Sequence, residues 1–225
     1  MNRIIRTQWA LATGAIACLA FTANAAVISN PSFEDDDVAD GTFTNGLATG
    51  WDTAGNVTGT QDFSAGQLPP AATDGEQHGV VSFQTFGGLP TSLSQLTPYI
   101  ITAGETYTLT VDVGQVHNFN GSQATISLFG STLGLGTALS NVNGTALLAG
   151  IAPPDAGGYL LDRTVSYTAL ASGDPFEGQQ LGIQFIKSAG TQTLFDNVRL
   201  DIVPEPSSLA LLGLGGLLLA RRRRG

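Results

Sequence analysis

The sequence predicts an all-β protein: an antiparallel β-sandwich with an apolar segment at each end of the chain. Three observations carry that expectation. Between the two ends no stretch holds a 3.6-residue apolar period, several stretches alternate strictly, and glycine, asparagine and proline recur between them. Glu105–Gly114 is the clearest case, with Tyr107, Leu109, Val111 and Val113 alternating against Thr106, Thr108, Thr110 and Asp112. Such alternation is what a strand needs to bury one face and wet the other. Residues 80–86, 124–129, 160–167, 181–186 and 194–202 read the same way, with turns at Asn45-Gly46, Asn120-Gly121 and Asn143-Gly144. Strands at this density without helices imply a sandwich. The glycine-rich stretch 130–158 reads as long loops around one or two strands, and no repeat of 20 to 50 residues marks a solenoid.

The first 25 residues read as a secretory signal. Arg3 and Arg6 open it, residues 10–21 are apolar, and Ala23-Asn24-Ala25 supplies small residues for a cut after Ala25. Cys18, the one cysteine, falls inside this segment. The exported domain therefore has no disulfide, no thiolate metal site and no cysteine nucleophile, and its core must hold it.

Residues 26–202 form one domain, long enough for a substantial core. Of the 18 acids in the chain all but Glu205 lie in it, against Arg163, Lys187 and Arg199 as its cations. A surface this acidic repels nucleic acid, which excludes that class of partner.

Residues 203–225 order three parts: Pro204-Glu205-Pro206, an apolar run from Ser207 to Ala220, and Arg221, Arg222, Arg223 and Arg224. The prolines stop a preceding element, the run suits a short helix in lipid, and the arginines stop its passage. At roughly 1.5 Å per residue the run rises about 21 Å, short of a hydrocarbon core of about 30 Å. A permanent anchor is normally longer. The arrangement resembles the PEP-CTERM sorting signal of Gram-negative bacteria that make exopolysaccharide. That resemblance implies recognition at Pro204, Glu205 and Pro206 by an exosortase, a membrane protease that removes the tail. The chain would be held transiently at the inner membrane and then released to the cell surface or matrix.

Asn30-Pro31-Ser32-Phe33-Glu34 near the start of the domain and Phe195-Asp196-Asn197-Val198 at its end stand out as a pair. Period two places Asp196 on one face with Leu194, Val198, Leu200 and Ile202, and an inward carboxylate needs a positive partner. The two motifs resemble the terminal strands of galactose-binding-like jelly rolls, including carbohydrate-binding modules. The resemblance implies that the strands lie side by side and that Glu34 and Asp196 hold a structural calcium. Read from the residues alone, Glu34 equally caps a turn and Asp196 equally accepts backbone amides. The acids from Glu34 to Asp40 fail the EF-hand spacing and read as a solvated loop.

Catalytic motifs are sparse. The chain has two histidines, His78 and His117, and lacks a nucleophile elbow, a zinc helix and a phosphate loop. The expectation is a non-catalytic exported protein, its sandwich binding exopolysaccharide with calcium support, and no cofactor required. The alternatives are a structural matrix protein without a ligand and, behind it, a glycan hydrolase using paired carboxylates. Trp51, Tyr99 and Phe119 are the aromatic candidates for a sugar platform, with Trp51 better suited to the core than to the platform. Tyr159 and Phe176 suit loop closure. The Thr-x-Thr elements at Thr106–Thr110 read as the polar face of an ordinary strand.

Overall fold

The computed structural model describes residues 24–25, 28–54, 58–62, 71–82, 85–86, 89–116, 122–132, 137–144 and 158–204. The signal segment before Asn24, the tail after Pro204, His117 and Phe119 lie outside them. Among the described residues no helix is long and apolar enough to cross a membrane.

Thirteen strands are described. They are β1 Asn24–Ala25, β2 Asp52–Ala54, β3 Thr58–Asp62, β4 Gln77–Ser82, β5 Thr85–Phe86, β6 Leu89–Pro90 and β7 Ser92–Ile100, followed by β8 Glu105–Gln115, β9 Gln123–Ser131, β10 Thr137–Gly144, β11 Gly158–Thr168, β12 Gln180–Ala189 and β13 Gln192–Pro204. One sheet has the order β11-β8-β13-β4-β3, with β1 added against the far half of β13; the other has the order β10-β9-β12-β7-β2. Neighbouring strands in both are antiparallel, for example β13 with β8 and β12 with β9. The expected all-β jelly-roll sandwich is what forms. β1 puts Asn24 and Ala25, at the expected cleavage point, opposite Ile202 and Asp201.

The alternation in β8 does what the pattern requires: Tyr107, Leu109, Val111 and Val113 are fully buried between the sheets. Facing them are Ile126 and Leu128 of β9 and Leu181, Ile183 and Phe185 of β12. Each such side chain contributes about 1.5–3 kcal/mol through removal from water. Aromatic rings tie the layers together: Phe185 of β12 stacks on Phe195 of β13 at 4.6 Å, Trp51 lies 5.3 Å from Phe185, and Phe33 stacks on Trp51 at 5.1 Å. Gly79 of β4 is part of the same arrangement. A Cβ there would sit 2.4 Å from the Phe33 ring.

Three sequence expectations need correction. Asn30-Pro31-Ser32-Phe33-Glu34 is not a strand but a tight turn, with left-handed backbone at Asn30 (φ 47°) and Phe33 (φ 61°). It meets the last strand by one bond, from Val198 N–H to Pro31 O at 3.0 Å. Asn143-Gly144 is not a turn but the end of β10, opposite Thr125 and Ala124.

The third correction concerns the site. β13 does not keep period two, because its register against β8 shifts between Asp196 and Arg199, and Asn197 there has φ 51°. A bulge adds a residue and reverses which face the following side chains take. Phe195, Val198, Leu200 and Ile202 therefore face the core between the sheets. Leu194 instead packs with Val80, Val116 and Tyr159, in a second, smaller cluster on the outer face of the first sheet. Asp196, two residues along from Leu194, shares that outer face.

Candidate active site

The outer face of the first sheet gathers polar residues that are nonetheless buried. Asp112 of β8 and Asp196 of β13 are register partners. Asp112 is 2% exposed, while Asp196 and His78 of β4 are fully buried. Tyr159 of β11 pairs with Gly114, over which its ring lies so closely that a Cβ there would meet it at 2.8 Å. The His78 and Tyr159 rings meet edge to face at 6.2 Å.

Two bulges shape this cluster. β11 shifts register between Leu160 and Arg163, with Asp162 at φ 54°, on one side of β8, while Asn197 bulges on the other. Asp112 bridges them. Its Oδ1 accepts the Asp162 N–H at 2.7 Å, and its Oδ2 accepts the Asn197 side-chain amide at 3.2 Å. Arg199 closes the arrangement from solvent, ion-paired with Asp162 and 3.9 Å from Asp112. Aspartate and asparagine tolerate left-handed backbone better than other side chains, which is the local reason the chain can bulge at these positions.

The Asp196 carboxylate has a different set of partners. Its Oδ2 accepts the Thr73 N–H at 2.6 Å, the Thr73 hydroxyl at 3.0 Å and the Asp74 N–H at 2.9 Å, and its Oδ1 accepts the Asn197 N–H at 2.7 Å. Glu34 grips the same segment further along, where its Oε1 accepts the Glu76 and Gln77 N–H groups at 2.9 and 2.6 Å. Residues 73–77 thus form a strap across the site, tied by two carboxylates. The partner inferred for Asp196 from charge is met here by N–H and O–H donors.

Burial sets the protonation of the cluster. It raises the Asp196 carboxyl to about 6, against the opposing pull of its hydrogen bonds. It lowers the His78 imidazole to about 3, so that ring is neutral at ordinary pH. Tyr159 is held well above its usual value by burial first and then by the charges of Asp196 and Asp112. Its hydroxyl is buried with no hydrogen-bond partner among the described residues.

The other sequence candidates sit elsewhere. Trp51 is 6% exposed, packs on Phe33 and Phe185, and donates its indole N–H to Asn30 O at 3.0 Å. Its place is in the core. Tyr99 is half-buried against the same core. Among the described residues no group of three or more His, Cys, Asp or Glu side chains gathers as a cation site. Sequence reasoning singled out Asp196 but missed Asp112 and Tyr159, whose proximity depends on strand register.

The family described as HpiC1 cyclase matches residues 24–201, and the PEP-CTERM protein-sorting motif matches residues 203–224. Among solved structures, a Stig cyclase, Fisc from Fischerella sp. TAU in complex with (3Z)-3-(1-methyl-2-pyrrolidinylidene)-3H-indole, is 23% identical. The match covers 82% of this chain and 100% of that one, with a TM-score of 0.67. An apo cyclase from Fischerella sp. is 25% identical over 81% of this chain and 98% of its own, with a TM-score of 0.66. The xylan-binding CBM22-1 domain of Paenibacillus barcinonensis Xyn10C is more distant, 16% identical over 84% of this chain and 99% of its own, with a TM-score of 0.45. No curated protein is similar enough to be matched to the chain. The tail marks the protein as exported and sorted at the membrane. The expectation of a non-catalytic protein is overturned, because the domain matches a cyclase family along nearly its whole length. The chain belongs to the HpiC1-like family and carries a PEP-CTERM sorting motif behind the β-sandwich.

Proposed function

We infer that this exported protein catalyses an acid-initiated cyclisation, with Asp196 as the proton donor. One observation carries the reading: a fully buried carboxyl held up at about 6, so that near-neutral conditions leave it both a proton to give and a basic form to receive one. The chemistry balances without a co-reactant. Asp196 delivers its proton to a π-bond or basic atom of the substrate, an internal alkene closes on the cation so formed, and the carboxylate takes a proton back from the product cation. Tyr159, Val80, Val116 and Leu194 favour a mostly apolar substrate beside this acid. The indole-bearing ligand of Fisc is of that class. Access to Asp196 requires the 73–77 strap to lift from it. Alkene-bearing indoles incubated with the protein should yield isomers of unchanged mass and new retention time. Asp196→Asn should abolish that conversion and Asp196→Glu should keep part of it; conversion undiminished in Asp196→Asn contradicts the assignment.

A carbohydrate reading has its own support. Thr106 pairs with Thr168 and Thr108 with Ser166 through hydroxyl bonds of 2.9 and 3.0 Å, an exposed ladder across β8 and β11. Exopolysaccharide hydroxyls have partners there, and exosortase removal of the tail would deliver the domain to that matrix. Structural calcium at Glu34 and Asp196 fits less well, because Asp196 already meets four donors and Glu34 two.

A further inference from the structure

We propose that the end of the sandwich carrying Ile100 and Leu170 rests on the outer surface of the inner membrane while the tail is attached. The strand that leads to the tail ends here. Pro204, the last residue of β13, is the register partner of Glu105, the first residue of β8. On the other side of Glu105, its carbonyl accepts the Ala169 N–H at 2.9 Å, and the Gly104 N–H donates to Leu170 O at 3.2 Å. The loop from β7 to β8 completes this end, with the Ile101 N–H donating to Gln179 O at 2.8 Å.

Among the described residues, three of the six exposed large hydrophobic side chains gather at this end, while Phe43, Leu47 and Leu161 lie elsewhere. Ile100 is 51% exposed, Leu170 58% and Val203 37%. Isolated exposed aliphatics are ordinary on a protein surface. These three surround the point where the chain leaves for the bilayer, and the distance available decides what they meet. Only Glu205 and Pro206 separate Pro204 from the apolar run that starts at Ser207. Two residues span at most about 7 Å when extended. A folded domain on so short a tether cannot stand clear of the lipid headgroups, and these aliphatics are the side chains it presents to them. Val203 is joined directly to the tether. The acids nearby, Glu105, Glu177 and Asp201, disfavour an anionic surface, so the occupant is the zwitterionic headgroup and acyl boundary. The Pro204-Glu205-Pro206 motif then lies between domain and bilayer, within reach of a membrane-embedded protease.

Leu161 supplies an internal control. It is 60% exposed but lies at the β11 bulge, opposite the stretch of β8 between Val111 and Val113. That is roughly 23 Å from Glu105 along the strand, at about 3.3 Å per residue. The test uses the full chain carrying Cys18→Ser, inserted in phosphatidylcholine vesicles that contain brominated acyl chains. An environment-sensitive fluorophore is attached in turn at Ile100→Cys, Leu170→Cys and Leu161→Cys, and flotation with the vesicles reports insertion of the tail. Bromine should quench the labels at positions 100 and 170 severalfold more than the label at 161. Equal quenching at all three positions, no quenching at 100 and 170, or a chain that does not float with the vesicles overturns the proposal.

Discussion

Glu34 and Asp196 hold opposite ends of one five-residue strap. Asp196 takes the amides of Thr73 and Asp74, Glu34 those of Glu76 and Gln77, and between them Gly75 turns with φ +83°. A Cβ on Gly75 would lie 2.4 Å from the Glu34 carboxyl. Gly75→Ala should therefore lower stability by about 1 kcal/mol or more, through both backbone strain and displacement of that carboxylate. Glu34→Ala should cost about 0.5–1.5 kcal/mol, because it removes the acceptor of the part-buried Gln77 amide while the exposed Glu76 amide can turn to water. Thermal melts of both variants check this; wild-type melting in either one removes the strap from the account.

Stability should follow pH in a window set by Asp196. Its folded value of about 6 lies above the usual unfolded value of about 3.9, so between these limits the folded state binds a proton that the unfolded state has released. The stabilisation is fully present below about pH 4 and is lost as the pH rises through 6. Denaturant titrations should show the stability of wild type relative to Asp196→Asn falling over that interval, at up to about 1.4 kcal/mol per pH unit, and levelling above it. A difference independent of pH would place the titration elsewhere.

Tyr159→Phe separates packing from polarity in the same cluster. The hydroxyl is buried without a partner among the described residues, so removing it relieves a desolvation cost while the ring stays over Gly114. The melting temperature should hold or rise. A fall equivalent to more than about 1 kcal/mol would mean that the hydroxyl is bonded, for example to an ordered water.

Gly79→Ala tests the aromatic core. The added methyl meets the Phe33 ring at 2.4 Å, and that ring is stacked on Trp51, which leaves it little room to move. Overpacking of this kind costs about 1–3 kcal/mol. Melting and tryptophan fluorescence should both change; if neither does, Phe33 has somewhere else to go.

Calcium separates the two uses of the strap carboxylates. With Asp196 meeting four N–H and O–H donors and Glu34 Oε1 two, melting should be the same in calcium and in chelator. Loss of several degrees in chelator would instead make Glu34 and Asp196 part of a cation site.

The alternating strands were legible because their side chains sort by solvent, as Tyr107 to Val113 do. β7 was not. Ser92, Ser94, Gln95 and Thr97 are buried there, Gln95 bonded to the backbone oxygens of Ser29 and Gly50 and Thr97 to that of Leu181, so hydropathy does not mark the strand. β3 was hidden for the same reason, since all of Thr58–Asp62 is buried without an aliphatic side chain. Asp196 was legible as a carboxylate that needed compensation. Its true face was not, because a single left-handed residue, Asn197, reverses the parity of β13. Asp112 and Tyr159 join it only through the register of three strands, which no local spacing reveals.

The proposed chemistry needs Asp196 to hold its proton up to about pH 6, and carboxyl-carbon NMR reads this directly. Aspartate-labelled protein is titrated from pH 3 to 8, with Asp196→Asn identifying the resonance. The expected midpoint for Asp196 is near 6. A midpoint at the ordinary carboxylate value, about 4 or below, would leave the site with no proton to deliver and contradict the proposed chemistry.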